Sequence, residues 1–317
     1  MRKILVTGAA GDIGTRLVQA LSSRGDVDLY TTALKDLPYI VDSTHRNFDI
    51  RNPQFLQWIK QVEPDVVVHL ASVIRLPDSM SESEAFEIDV TATEQLLSTC
   101  VEIGVDKFIV TSSGAAYGYW QDNPEWIQEA DPVRGNDDYF YSRHKRLVEN
   151  LLAEYRERHP QLKQVILRPG TVLGPNFENP ITNMFEKKRI LGIRGSLSPF
   201  VIIWVDDLVE YLIEACVTEV EGVFNVAGDG VLTMPEIAKR LNKPYLSIPA
   251  IVVKSLLVIL KPLGLSQYGP EQVKFIQYRP VLSNNKIKST FEYKPRKTTS
   301  EAFEAFLAQS NKEYQQS

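Results

Sequence analysis

Cysteine is nearly absent from this chain of 317 residues: Cys100 and Cys216 stand alone, without the spacing a metal site would use. That scarcity excludes a small scaffold held by disulfides and fits a reducing compartment. No excess of positive charge is present either; 35 basic against 40 acidic residues leave a net charge of −5. A nucleic-acid partner, which demands a basic surface, is therefore not expected. Long hydrophobic runs are missing too. Met1 to Val6 has the charged head of a secretion signal, but its apolar run stops after three residues and meets Gly8, Gly11 and Asp12. The most apolar stretch, 248–260, is interrupted by Lys254 and closed by Lys261-Pro262, well short of the roughly 20 residues of a spanning helix. It reads as a buried or dimer-forming helix, the alternative being one that lies on a membrane or flanks an apolar pocket. His45, His69, His144 and His159 show no ligand spacing, so no metal is expected. A cytoplasmic protein is the expectation. What remains is ordinary for a globular chain, 44% apolar and 24% charged residues, at a length suited to two closely joined units.

Through residue 169 short β-branched runs alternate with helical patterns. Strands are expected at 4–6, 65–70, 108–111 and 165–167, and helices at 13–23, 85–104 and 141–158. Continuously apolar strands separated by helices imply a parallel sheet covered on both faces. The expected fold is α/β, a doubly wound parallel Rossmann sheet over 1–169 with a smaller C-terminal substrate lobe over 170–317. Two segments of the second part, near 200–208 and 222–228, are expected to return to the sheet. In such a fold the ligand sits at the carboxyl ends of the strands.

Gly8, Gly11 and Gly14 follow the first strand at intervals of three. A tight turn there needs residues without Cβ, and the next helix N-terminus offers free N–H groups to a pyrophosphate. The spacing differs from the commoner G-x-G-x-x-G, but its place between strand and helix marks a dinucleotide site. An acidic residue at the end of the second strand would favour NAD, and a basic one NADP. That end falls near Thr32, where neither charge stands, with Lys35 three residues on; both cofactors remain open.

Tyr141 and Lys145 share a face of the expected 141–158 helix. A nearby ammonium and the positive ring of an oxidised nicotinamide would favour the phenolate, whose ordinary pKa is about 10. The chain contains a second Tyr-x-x-x-Lys at Tyr293 and Lys297, but Pro295 lies between and breaks the helix that would align the pair. Thr111-Ser112-Ser113 ends the 108–111 strand, where a hydroxyl can bond a reacting oxygen. Proton transfer beside a hydride carrier suits the interconversion of a secondary alcohol and a ketone.

Taken in order, these motifs resemble the extended short-chain dehydrogenase/reductases, the NAD-dependent epimerase/dehydratase group. TGAAGDIG at 7–14 is similar to that group's cofactor turn, Asp49-Ile50 to its adenine-contacting pair, and His69-Leu70-Ala71-Ser72 to its fourth-strand signature. TSSGAAYG at 111–118 and YSRHK at 141–145 resemble its active site, which makes Ser113 the catalytic hydroxyl. Leu167-Arg168-Pro169 with Gly174-Pro175, then Trp204-Val205-Asp206-Asp207 and Phe224 to Gly228, complete the series. The resemblance implies Ser113, Tyr141 and Lys145 as catalytic residues. It implies a cofactor held by Gly8, Gly11, Asp12, Ile13, Gly14, Thr32, Asp49, Ile50, Leu70, Ala71, Ser72, Thr111, Tyr141, Lys145 and Pro169.

Departures from the pattern narrow the reaction. Ser72 stands where alanine is usual and Asp89 where asparagine is usual. Gly114-Ala115 replace the Asp-Glu that dehydratases of the group carry after the hydroxyl, which disfavours dehydration. Thr171 stands where sugar-nucleotide epimerases have asparagine. Leu197 to Ile202 lacks the arginine that would hold a diphosphate, a task left to Lys187, Lys188, Arg194 or Arg279. With the apolar 251–260 run, this favours a weakly charged small-molecule substrate. The expected activity is that of an NAD(P)-dependent reductase or dehydrogenase. The alternative is a UDP-sugar epimerase, and after it a non-catalytic dinucleotide sensor.

Overall fold

A computed structural model describes residues 1–39, 43–175, 177, 179–264 and 269–314, with side chains as far as residue 309. The chain begins β1 (Arg2–Thr7), α1 (Asp12–Ser22), β2 (Val27–Ala33), β3 (Thr44–Asn47), α2 (Pro53–Val62) and β4 (Val66–His69). One unbroken helical segment follows: α3 (Glu82–Phe86), a π-helical turn (Glu87–Thr91) and α4 (Ala92–Glu102). Then come β5 (Lys107–Thr111), a 3-10 turn (Gly114–Tyr117), α5 (Phe140–Arg158) and β6 (Lys163–Pro169). The second part runs β7 (Thr171–Leu173), α6 (Pro180–Glu186), β8 (Ile190–Ile193), β9 (Ile202–Trp204), α7 (Val205–Val217) and β10 (Gly222–Val226). It ends with α8 (Met234–Arg240), β11 (Tyr245–Ile248), α9 (Ala250–Leu260), α10 (Val273–Gln277), α11 (Asn285–Thr290) and α12 (Thr299–Tyr314).

Seven strands form the main sheet in the order β10-β6-β5-β4-β1-β2-β3, all pairs parallel. Strand residues alternate between its two faces. Ile4, Val6, Val66 and Val68 pack with α1 and α7, while Leu5, Val67, Phe108 and Val110 pack with α2, α4 and α5. The two cysteines fall one to each layer, both buried and unpaired: Cys216 with the first, Cys100 with the second. Because both faces are covered, Ile4-Leu5-Val6 and Val66-Val67-Val68 are wholly inaccessible, the physical origin of their unbroken apolar text.

Of the two segments expected to return to the sheet, β10 does so, pairing with β6 at the edge. Residues 202–204 do not: β9 pairs with β7 in a separate two-stranded sheet, and the chain enters α7 directly after it. A further pair, β8 with β11, and a core built on Phe185, Phe200 and Phe303 complete the smaller lobe.

The apolar 248–260 segment departs from the expected burial. In α9 only Val253 is buried, against Ile193 and Val273, while Ile251, Val252, Leu256, Val258 and Ile259 are exposed. The helix meets its lobe along one narrow stripe, so most of its apolar circumference faces outward. Among the described residues no helix is long and apolar enough to cross a membrane.

The direction of strand order reverses between β1 and β4, and their carboxyl ends open a crevice there. The glycine turn fills its floor. Gly8 has φ +65°, and a Cβ on it would lie 2.7 Å from the Ala71 nitrogen; one on Gly14 would lie 2.2 Å from the Gly8 carbonyl oxygen. The spacing of three thus brings the first turn of α1 onto the end of β1, and β1 onto the loop after β4, closer than any side chain allows. We predict that Gly14→Ala destabilises the protein by about 1–3 kcal/mol through overpacking, measured by urea unfolding. Gly25→Ala, where a Cβ meets open space, should leave the midpoint unmoved; equal losses in both would show that the turn is not close-packed.

Candidate active site

A cleft of about 470 Å³ runs from the glycine turn past the end of β5 to the smaller lobe. Gly8, Gly11, Asp12, Ile13 and Gly14 line one end. The α1 N-terminus has Gly11 as its cap, which offers no side chain to the first-turn N–H groups, an end suited to a pyrophosphate. Leu70, Ser72, Thr111, Ser113, Tyr141, Lys145 and Pro169 line the middle. Four residues singled out in the sequence lie elsewhere. Thr32 is fully buried inside β2, and its carbonyl accepts from Ala9 N. Ile50 is in the core, and Asp49 is ion-paired with Arg51 at 2.6 Å. Ala71 backs onto Gly8 beneath the cleft wall. The cradle that a Cβ would fill and the open helix end fit a dinucleotide; no second-strand residue adds a contact inside the cleft.

Tyr141 and Lys145 occupy successive turns of α5, with the Lys145 ammonium 5.6 Å from the centre of the Tyr141 ring. Ser113 hydrogen-bonds the Tyr141 phenol, and its Oγ also accepts from Ala115 N at 3.1 Å. The neighbouring Ser112 turns the other way, donating to Glu149 Oε1 at 2.5 Å beneath the sheet end. The two adjacent hydroxyls thus turn opposite ways, Ser113 toward Tyr141 and Ser112 toward Glu149. The second Tyr-x-x-x-Lys contributes nothing here, since Tyr293 lies in irregular chain and donates to Asp207.

Protein groups alone do not acidify the phenol. Burial pushes Tyr141 up to about 12, against which the Ser113 bond acts, and Asp89 adds to the rise. Burial also lowers Lys145 from its usual range, opposed by Asp89 and Glu149. The expected depression of the phenol by Lys145 is not seen: burial sets the direction, and the group that opposes it is Ser113. Lys145 Nζ donates to Ser72 Oγ at 3.1 Å and to the Thr111 carbonyl at 3.2 Å. Beside it His69 bonds Thr7 and Thr93 and is pushed down to about 4, by burial first and then by Lys145, so its imidazole is neutral at pH 7.

Beneath these groups lies a buried ion pair. Arg168 Nε donates to both Glu149 oxygens, at 2.9 and 3.0 Å, and Arg168 Nη1 donates to the Tyr117 hydroxyl at 2.6 Å. Tyr117 in turn donates to Asn225 Oδ1 at 2.8 Å. The pair joins α5, β6, the turn after β5 and β10, and it gathers three motifs that the sequence presents separately.

Toward the smaller lobe the cleft is lined by Ile181, Asn183, Phe200, Val201, Tyr119, Tyr139 and Arg279, and Arg75 from the loop after β4 also lines it. The Arg279 guanidinium stacks on the Phe200 ring, 3.8 Å from its centre. Its Nε is buried, and among the described residues it has no hydrogen-bond or ion-pair partner. Lys187, Lys188 and Arg194 are not in the cleft wall, and neither is any residue of α9, so the apolar run says nothing about the pocket. Phe200 and Arg279 had weak signals in the sequence because one lies in the 197–202 stretch and the other 79 positions later; only the packed lobe stacks them.

Removing one partner from a buried ion pair leaves the other charge uncompensated, at a cost of about 3–5 kcal/mol. Glu149→Ala should therefore lose stability of that order in denaturant unfolding. A loss below about 1 kcal/mol, the level of a surface pair, would show that the Glu149–Arg168 pair is not what seats α5.

The family model for the NAD dependent epimerase/dehydratase family matches residues 4–227. Over 311 residues the chain is 23% identical to an uncharacterised protein of Mycobacterium tuberculosis, covering 96% of this chain and 83% of that one. It is 26% identical over 271 residues to a dTDP-D-glucose 4,6-dehydratase of Dictyostelium discoideum, covering 76% and 62% respectively. Among solved structures, the UDP-glucose 4-epimerase of Thermotoga maritima with UDP-glucose superposes with a TM-score of 0.77 at 20% identity, over 98% of this chain and 99% of that one. The doubly wound sheet, the glycine cradle and the extent of the family match agree, and the chain belongs to the NAD-dependent epimerase/dehydratase family, whose members are enzymes of the extended short-chain dehydrogenase/reductase type.

Proposed function

We propose that this protein catalyses NAD-linked hydride transfer at a secondary alcohol of an anionic substrate, with a nucleotide-linked sugar as the substrate class. The observation that carries the second half is Arg279: a guanidinium lining the cleft, partly desolvated, with no ion-pair partner among the described residues. A charge held out of water without a counter-charge is costly, and a bound phosphate or carboxylate would relieve that cost. Arg75, which also lines the cleft, adds a second cation. This reverses the leaning toward a weakly charged substrate, because the arginine missing before Val205 is replaced from a distant part of the chain. The similarity to a UDP-glucose 4-epimerase and a dTDP-D-glucose 4,6-dehydratase supports the same class. Gly114 and Ala115 still offer no proton-transfer group for dehydration, so epimerisation is the favoured outcome. A net reductase or dehydrogenase is the second reading, supported by the apolar wall of Ile181, Phe200 and Val201.

NAD, when bound, supplies the acceptor and donor of hydride. The protein's own groups handle the proton. Tyr141 takes the hydroxyl proton of the alcohol and returns it to the ketone. Ser113 hydrogen-bonds the same oxygen as its charge develops. Lys145 holds the ribose side of the cofactor and keeps a positive charge near the phenolate. The glycine turn and the α1 N-terminus hold the pyrophosphate.

Two measurements follow. Since burial favours the neutral phenol, ionisation of Tyr141 in the cofactor-free protein requires the pH to approach about 12. The ultraviolet difference between wild type and Tyr141→Phe should therefore show no tyrosinate up to about pH 10, the ordinary phenol value. Saturation with oxidised NAD, whose ring is positive, should bring a tyrosinate band into that range. A difference spectrum indifferent to NAD would remove Tyr141 from the role of proton acceptor.

Calorimetric titration of the NAD-loaded protein with UDP tests the substrate class. Micromolar binding that weakens at least tenfold in Arg279→Met, about 1.4 kcal/mol, is the expected result. Absence of UDP binding, with turnover on an uncharged ketone instead, would establish the second reading.

A further inference from the structure

Two departures from the family pattern, Ser72 and Asp89, touch each other. Ser72 Oγ donates to Asp89 Oδ1 at 3.0 Å, and the same hydroxyl accepts from Lys145 Nζ at 3.1 Å. Asp89 is buried, with 4% of its surface exposed, and accepts two more bonds, from Val73 N at 2.8 Å and from His144 Nδ1 at 2.9 Å. With Asp89 as a carboxylate, which can only accept, the His144 hydrogen is assigned to Nδ1. Three partners meet its two oxygens, more than the single oxygen of an asparagine could accept. The π-helical turn between α3 and α4 contains Asp89 and gives the helix an extra residue at this point. Such turns recur where a helix has to aim a side chain into a site.

The other groups facing Lys145 are already accounted for. The charge of Glu149 is offset by Arg168, His69 is neutral, and Tyr141 is a neutral phenol in the cofactor-free protein. That leaves Asp89, one hydroxyl away, as the counter-charge of the Lys145 ammonium. His144 has no hydrogen bond on Nε2 among the described residues and lies between the Phe86 and Phe140 rings, each with its centre 5.5 Å away. It serves only the carboxylate.

We propose that Asp89 is a positioning residue for Lys145, acting through the Ser72 hydroxyl and held as a carboxylate by His144. The chain Lys145–Ser72–Asp89–His144 keeps the buried amine protonated and aimed at the cleft. This deepens the hydride-transfer reading above and rests on the place of Lys145 in it, but its test needs no substrate.

The test is the titration of Lys145 in protein carrying [13C]lysine, its signal identified as the one missing from Lys145→Met, together with NADH affinity from fluorescence. An opposite charge at this range supports the charged form by about one pH unit or more. Lys145 should therefore titrate about a unit lower in Ser72→Ala and in Asp89→Asn, with NADH bound several-fold more weakly in both. The double variant should fall no further than Asp89→Asn, because both residues act along one chain of contacts. His144→Phe should shift the titration the same way by less. Unchanged Lys145 titration in Ser72→Ala and Asp89→Asn overturns the proposal, even if both melt earlier, since a packing role moves stability alone. Should Asp89→Asn fail to fold, Ser72→Ala decides by itself, because it leaves Val73 and His144 on the carboxylate. A flat titration with intact turnover removes Asp89 and leaves the function standing. A shifted titration with no tyrosinate response to NAD does the reverse.

Discussion

The buried pair of Glu149 with Arg168 is the contact on which the site depends. Tyr141, Lys145 and Glu149 recur at intervals of four along α5, so they lie in one stripe, and the helix has a single rotational setting that satisfies all three. Glu149 is almost wholly out of water, and so is Arg168. Two charges this deep are tolerated only when each meets the other in good geometry with its remaining bonds filled. Ser112, Tyr117 and the Glu129 carbonyl fill them. If α5 rolled about its axis or slid along the sheet, it would strand a carboxylate beneath β6. With the pair made, Lys145 one turn upstream and Tyr141 two turns upstream can face only the cleft.

That arrangement leaves the reacting groups desolvated. Burial favours the neutral form of both the phenol and the amine, so neither is ready for proton transfer on account of its spacing alone. The charge balance has to come from outside the Tyr-Lys pair. On the sheet side Glu149 is spent on Arg168; on the helix side Asp89 is one hydroxyl from the amine. The remaining positive charge that would favour a phenolate belongs to the oxidised cofactor. Under the proposed function, proton transfer is coupled in this way to cofactor occupancy, and the phenol stays inert until hydride has somewhere to go.

The end of the cleft next to the smaller lobe obeys a different constraint. Its cation comes from the chain after α10, and it is shaped by an aromatic ring from the segment before β9. The lobe that brings these together is held by its own core around Phe185, Phe200 and Phe303, with the β7–β9 pair linking it to the end of the main sheet. The apolar helix α9 stands apart from the cleft and touches the lobe along one stripe, so its hydrophobicity is a property of the surface and not of the pocket.

Local chemistry was enough for much of this. Ile4-Leu5-Val6 and Val66-Val67-Val68 announce strands buried on both faces, because nothing polar can be placed there; the glycines at intervals of three announce a turn too tight for Cβ. Pro295 suffices to disqualify the second Tyr-x-x-x-Lys. Each is a constraint within a few residues, where sequence and geometry are nearly the same statement. What only the tertiary structure decided are the pairings between distant parts of the chain. That Ser113 and not Ser112 faces the phenol follows from where Glu149 lies across the sheet end. That Thr32 stays out of the cleft follows from its burial inside β2, and Asp49 is engaged instead by Arg51. Asp89 and Ser72 looked like isolated exceptions until the π-turn set them 3.0 Å apart beside Lys145, and Arg279 reached the cleft only once the smaller lobe had closed over Phe200. Burial and counter-charge depend on which residues surround a group in space, and that is not written in its neighbours along the chain.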